Sequence, residues 1–131
     1  MKATVSVWVG RVLSALFVLF MLGASVAPKL MGIPVADEIM HGLGWPPGYV
    51  LPIGILELTL TLLYAYRPTS VLGAVLFMGL LGGAMATNLR ADQPLFSHTL
   101  FSLYLGLMMW GGLWLRDEKL RALFPWRRQD A

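Results

Sequence analysis

The sequence predicts an all-α integral membrane protein, a four-helix bundle that spans the bilayer four times with both termini cytoplasmic. Three observations carry that reading. Hydrophobic residues make up 57% of the 131 and charged residues only 13%, against about 45–50% and about 25% in a typical soluble domain. The apolar residues gather into four runs of roughly the 20 residues a spanning helix needs, and mean hydropathy is +0.69. Finally, of 10 basic residues, Lys2, Arg11, Arg67, Arg116, Lys119, Arg121, Arg127 and Arg128 fall on one side of such an arrangement, and only Lys29 and Arg90 on the other. Positive residues are retained in the cytoplasm, which sets the orientation. The net charge is only +3 and sits at membrane flanks, so nucleic acid is not an expected partner. Cysteine is absent, which excludes disulfides, thiolate metal sites and thiol relays.

The first span is read over residues 5–27, ending where Pro28 disfavours helix in the residue before it. A cleavable signal peptide competes with it: Lys2 and Arg11 could form its basic start and Ser25-Val26-Ala27 its small-residue end, but Pro28 would then head the mature chain. The long connection 28–49 carries Ala36, Ile39, Met40 and Leu43 at helical offsets, closed by Gly42, Gly44 and Pro46. That pattern predicts a short amphipathic helix capping the extracytoplasmic mouth of the bundle. The second span covers 48–66, with Pro52 in its first turns, where the missing N–H costs least, and Pro68 marking the turn beyond. The third, 69–89, has no charge, and the fourth covers 95–115. Residues 116–131 form a basic cytoplasmic tail whose Leu120, Leu123, Phe124 and Trp126 suit the inner headgroup layer. The whole chain, 1–131, is one membrane domain.

A charge in mid-span costs on the order of 3 kcal/mol, so Glu57 is the most informative residue. It shares a helical stripe with Gly54, Thr61 and Tyr64, and that small, polar stripe is expected to face the bundle interior. Arg11 and Tyr104 are its candidate partners. At ~1.5 Å per residue Arg11 lies about 9 Å and Glu57 about 13 Å in from the cytoplasmic ends of their spans. Gly79, Gly82, Gly83 and Ala86 share one face of the third span, a small-xxx-small surface for helix packing or, alternatively, for close approach of a ligand. Lys29, His41, Asn88, Arg90 and His98 gather on the extracytoplasmic side with Asp37, Glu38 and Asp92. Neither histidine belongs to a ligand-spaced motif, so no metal and no haem is expected. No nucleophile elbow, phosphate loop or paired catalytic carboxylates occur, so no catalytic residue is assigned and a self-contained enzyme is not expected.

The order Ala27-Pro28-Lys29-Leu30, His41-Gly42-Leu43-Gly44-Trp45-Pro46, Gly54-Ile55-Leu56-Glu57-Leu58, then GLLGGAMATNLR at 79–90 and LWLRDEKLR at 113–121 resembles the DoxX-like family of small bacterial membrane proteins. The resemblance implies a multi-pass protein of the bacterial inner membrane, and the family name derives from a small subunit associated with a quinone-reducing oxidoreductase. The family pattern often has histidine where this chain has Asn88, which weakens a role for that position as acid, base or ligand.

Three functions follow as expectations. The first is an accessory or ligand-binding subunit, in which a quinone-like amphiphile enters between helices to meet Glu57, Tyr104 and Arg90; with no intrinsic cofactor, electrons pass through a membrane oxidoreductase partner. The second is a structural or assembly protein that recruits another membrane protein or a second copy of itself. The third is a small transporter exchanging a proton at Glu57 for a lipophilic cation.

Overall fold

A computed structural model describes residues 4–127; Lys2 and Arg128, both counted in the charge bias above, lie outside the described residues. Helix α1 (Val5–Phe20) opens at Thr4, whose hydroxyl accepts the Val7 N–H and so satisfies one of the unpaired donors of the first turn. It does not stop before Pro28. A π-helical turn, Met21–Val26, leads directly into α2 (Ala27–Leu30), giving one helix of 26 residues, Val5–Leu30. In this turn the Ala27 N–H reaches back five residues to the Leu22 carbonyl. An α-helical turn would press the Pro28 ring against a carbonyl four residues earlier; the wider turn relieves that clash, and the helix runs on. The extra turn brings Lys29 onto the face of Ser25.

The connection that follows holds α3 (Pro34–Gly42), with proline at its start, Asp37 in its first turn, and Ala36 and Met40 buried beneath it. Helix α4 (Val50–Ala65) buries Gly54, Glu57, Leu60, Thr61 and Tyr64 along one stripe. Its last carbonyls are taken up by the next turn: Thr69 Oγ1 donates to Leu63 O and Ser70 Oγ to Tyr64 O, both at 2.7 Å. Helix α5 (Ser70–Arg90) follows. The segment expected as an unbroken fourth span is helical but divided, because a π-helical turn, Leu95–Thr99, starts after Pro94 and breaks at Leu100 before α6 (Phe101–Arg116). Asp117 then caps α7 (Glu118–Leu123) by accepting the Lys119 and Leu120 N–H groups.

Helices α1, α4, α5 and α6 share one core. Phe17 meets Tyr64 and Phe77 edge to face at centroid distances of 5.3 and 5.2 Å, and Met109 and Leu113 close the layer. The most extensive packing is between α1 and α6, where Gly10 and Gly112 let the backbones touch: a Cβ on Gly10 would lie 2.6 Å from the Gly112 carbonyl oxygen. Gly73 does the same for α5 against the Tyr64 backbone. The glycines expected to pack helices do not. A Cβ on Gly79, Gly82 or Gly83 would meet no atom within 4 Å, and Ala86 is exposed. The helix surface is apolar: Leu19, Leu62 and Leu107 are 66%, 55% and 65% exposed. Among the described residues two helices, Val5–Leu30 and Arg67–Arg90, are long and apolar enough to cross a membrane, while Val50–Ala65 is apolar but shorter.

Candidate functional site

Glu57 is buried on α4, and its partner is neither Arg11 nor Tyr104. Lys29 Nζ lies 3.0 Å from Glu57 Oε1. Arg11 points instead across its own helix, with its guanidinium carbon 4.9 Å from the Trp8 ring centroid. Tyr104 is exposed and donates to Phe96 O at 2.9 Å. The physical reason is the continuation of the first helix through Pro28, which carries Lys29 to the level of Glu57 and leaves Arg11 at the far end.

Ser25 completes the arrangement. Its hydroxyl donates to Glu57, 2.9 Å from Oε1 and 3.1 Å from Oε2, and accepts from Lys29 Nζ at 2.9 Å; Lys29 also donates to the Ser25 carbonyl at 3.3 Å. The ammonium's three protons therefore have three acceptors: Glu57, Ser25 Oγ and Ser25 O. Glu57 Oε2 receives only the longer branch of the Ser25 hydrogen bond. The residual hydrogen-bonding capacity of the cluster is thus that of an acceptor. Gly54, one turn from Glu57, supplies the space: a Cβ there would lie 2.8 Å from Lys29 Cβ. Thr61 donates back to the Glu57 carbonyl at 2.7 Å.

This cluster forms part of the wall of a cavity of about 810 Å³, lined also by Phe20, Met40, Ile53, Leu56 and Phe101 and by polar Asn88, His98 and Ser102. Its wall on α5 includes Gly79 and Gly83, so these two glycines of the small-residue stripe make room in the cavity rather than seating a helix. Helix α3 covers one side through Val35, Ala36 and Ile39. The cavity is within the size range of small-molecule sites, and its mostly apolar lining with a few convergent polar groups is their usual character.

The other expected site residues are distributed around it. Asn88 Nδ2 donates to Ala84 O at 2.8 Å, and His98 Nδ1 pairs with Ser97 Oγ at 2.8 Å. His41 is exposed at the end of α3. Arg90 ties α5 to the cap: its Nη2 donates to Leu43 O at 2.8 Å and fills the space where a Cβ on Gly44 would project, 2.6 Å away. Gly44 has φ +89°, a conformation costly for any other residue. Gly44→Ala is therefore expected to cost at least about 1 kcal/mol and to speed amide exchange in α3. Unchanged exchange across residues 34–42 would show that Arg90 does not hold the cap.

Tyr64 belongs to a different network. It donates to Met109 O at 2.6 Å and pairs with Ser14 Oγ at 2.8 Å, and Arg116 Nε donates to Ser14 at 3.2 Å. Sequence reasoning did not name Ser25 as a site residue, placed Gly54 on the Glu57 stripe without a role in the site, and read Arg116 only as part of the charge bias. The Ser25-to-Lys29 spacing of four is a helical one, and would have marked the pair had the helix been carried past Pro28.

No curated relative and no solved structure shows significant similarity to the chain. The profile of the DoxX-like family matches residues 12–112, well over half its length. That match, together with the two apolar helices, marks a membrane protein, and the chain belongs to the DoxX-like family.

Proposed function

We propose that the protein is a four-span, multi-pass component of the bacterial inner membrane, with both termini cytoplasmic, that binds a quinone-like amphiphile in the cavity beside Lys29, Ser25 and Glu57. The observation that carries this reading is the cavity itself: about 810 Å³, mostly apolar, with a largely buried ion pair on its wall. Arg11, Arg67 and Arg116 line one cleft at the opposite end, which supports a common side for the termini and, by the positive-inside bias, the cytoplasmic one. The short α4, about 24 Å long at 1.5 Å per residue, fits a locally thinned bilayer or a span completed by its flanking loops.

The spare acceptor on Glu57 favours a ligand whose polar end donates a hydrogen bond. A quinol hydroxyl meets that requirement and a quinone carbonyl does not. In this reading the protein holds the reduced form for a membrane oxidoreductase, the partner implied by the family resemblance.

The test is native mass spectrometry of the full-length protein in mild detergent with an added short-chain benzoquinol or the matching benzoquinone. The wild type is expected to retain the quinol more than the quinone. Gly83→Leu fills space that no atom occupies and is expected to abolish retention without loss of thermal stability. Equal retention by wild type and Gly83→Leu would overturn the cavity as the site. A second reading, in which the polar cluster serves packing alone, is favoured by the full satisfaction of Lys29; it predicts no retention of either probe.

A further inference from the structure

At the end of the molecule away from the Lys29 cluster lies a second cleft, of about 500 Å³, lined by Arg11, Arg67 and Arg116, by Ser14 and Tyr64, and by apolar Ala15, Val18 and Leu19. Three arginines from three separate parts of the chain line it, and no carboxylate does so among the described residues. Asp117 follows Arg116 in sequence, but it does not line the cleft, and its Oδ1 caps α7. Arg121, also nearby in sequence, is turned away to cap α6 through Trp114 O at 2.8 Å and Leu115 O at 2.9 Å.

Arg116 is held in place by a directed chain of hydrogen bonds. Tyr64 gives its only hydroxyl proton to Met109 O, so Ser14 must donate to Tyr64, and Ser14 in turn accepts from Arg116 Nε. This fixes the guanidinium at Nε, and its two terminal amino groups make no hydrogen bond to a described residue. The Arg11 and Arg67 side chains likewise make no hydrogen bond or ion pair among the described residues, although Arg11 lies over the Trp8 ring at 4.9 Å and Arg116 over the Tyr64 ring at 5.9 Å. The aromatic faces offset only part of the cost of gathering three positive charges, an anion completes the balance, and guanidinium groups match phosphate oxygens with paired, parallel donors.

The apolar side of the cleft decides which phosphate. Ala15, Val18 and Leu19 continue from the arginines along α1, and Leu19 is 66% exposed, so the cleft is basic at one end and greasy at the other. We propose that it binds the phosphate group of an anionic phospholipid, headgroup among Arg11, Arg67 and Arg116 and acyl chain against Val18 and Leu19. On the orientation proposed above this is a lipid of the cytoplasmic leaflet, where basic pockets between spanning helices commonly meet anionic headgroups. The site does not depend on what occupies the larger cavity.

The experiment compares retention of phosphatidylglycerol and of phosphatidylcholine by the full-length protein in native mass spectrometry, with inorganic phosphate as a competing probe. Phosphatidylglycerol is expected to be retained preferentially, and the Arg11→Gln, Arg67→Gln double variant to weaken that retention about 30-fold. Lys119→Gln with Arg127→Gln removes the same charge from the exposed tail and is expected to leave it intact. Equal losses in the two double variants would mean surface charge alone and overturn the site. Displacement of the lipid by millimolar inorganic phosphate would assign the cleft to free phosphate and overturn the lipid as occupant. Equal retention of the two lipids would overturn an anion site altogether.

Discussion

Lys29→Met is expected to lower stability by about 3–5 kcal/mol, because it leaves the Glu57 carboxylate buried with only a serine hydroxyl for company. The side chains of the pair are 17% and 9% exposed, so little of either charged group faces solvent. The double variant Lys29→Met, Glu57→Leu is expected to recover most of the loss, since well-packed apolar groups often match or exceed a buried ion pair in stability. A denaturant titration of the detergent-solubilised protein reads both. A neutral Lys29→Met would mean that the pair is not formed in the folded protein. Arg11→Gln and Glu57→Gln should combine additively within about 0.5 kcal/mol, because the two residues share no partner. The recovery matters for function. If the apolar double variant is as stable as the wild type yet retains no quinol, the pair is explained by what it binds; stability would be an insufficient reason for its presence.

The helices were legible in the sequence because hydrophobic runs, prolines and capping residues act locally, and the fit of α3 to its apolar pattern at Ala36 and Met40 shows how far that logic reaches. The stripe of Gly54, Glu57, Thr61 and Tyr64 is buried along its whole length, as a charge within an apolar run requires. The partner of Glu57 was not legible. Proline reads as a helix stop when the turn before it is α-helical; here the turn is π-helical, and the three residues added beyond Ala27 decide which cation reaches the carboxylate. Tyr64 stood on the same stripe as Glu57 but answers to Ser14 and Met109, a contact set by the closeness of α1 and α6 that no local pattern encodes. The glycines fail for the same reason. Spacing identifies a smooth helix face, but whether that face meets a helix or a cavity depends on where the neighbouring helices lie.

Gly112→Ala, the addition of one methyl group, is expected to cost about 3 kcal/mol, while the same change at Gly111 is neutral or stabilising by up to about 1 kcal/mol. The two residues are neighbours on α6 with identical helix propensity, so only what each faces can separate them. A Cβ on Gly112 would lie 2.5 Å from Ser14 Oγ and 2.8 Å from Ser14 N, and part of that obstacle is backbone that cannot turn aside. A Cβ on Gly111 would meet its nearest atom, Leu13 Cδ1, at an ordinary 3.9 Å. The clash at Gly112 has a second cost, because moving Ser14 breaks the relay from Arg116 through Tyr64 to Met109 O and leaves buried hydroxyls without partners. Gly10→Ala, which drives a methyl into the Gly112 carbonyl oxygen from the other helix, is expected to match Gly112→Ala in stability but to spare more of the Ser14 relay. Thermal unfolding in detergent ranks the three variants. Equal midpoints for Gly111→Ala and Gly112→Ala would show that α1 and α6 do not pack at backbone distance. The expected order would also tie the two ends of the molecule together, since the continuous helix Val5–Leu30 carries both Ser14, which holds Arg116 at the arginine cleft, and the π-helical turn that delivers Lys29 to Glu57. A variant that shifts α1 against α6 should therefore loosen phospholipid retention at one end before it disturbs the cavity at the other.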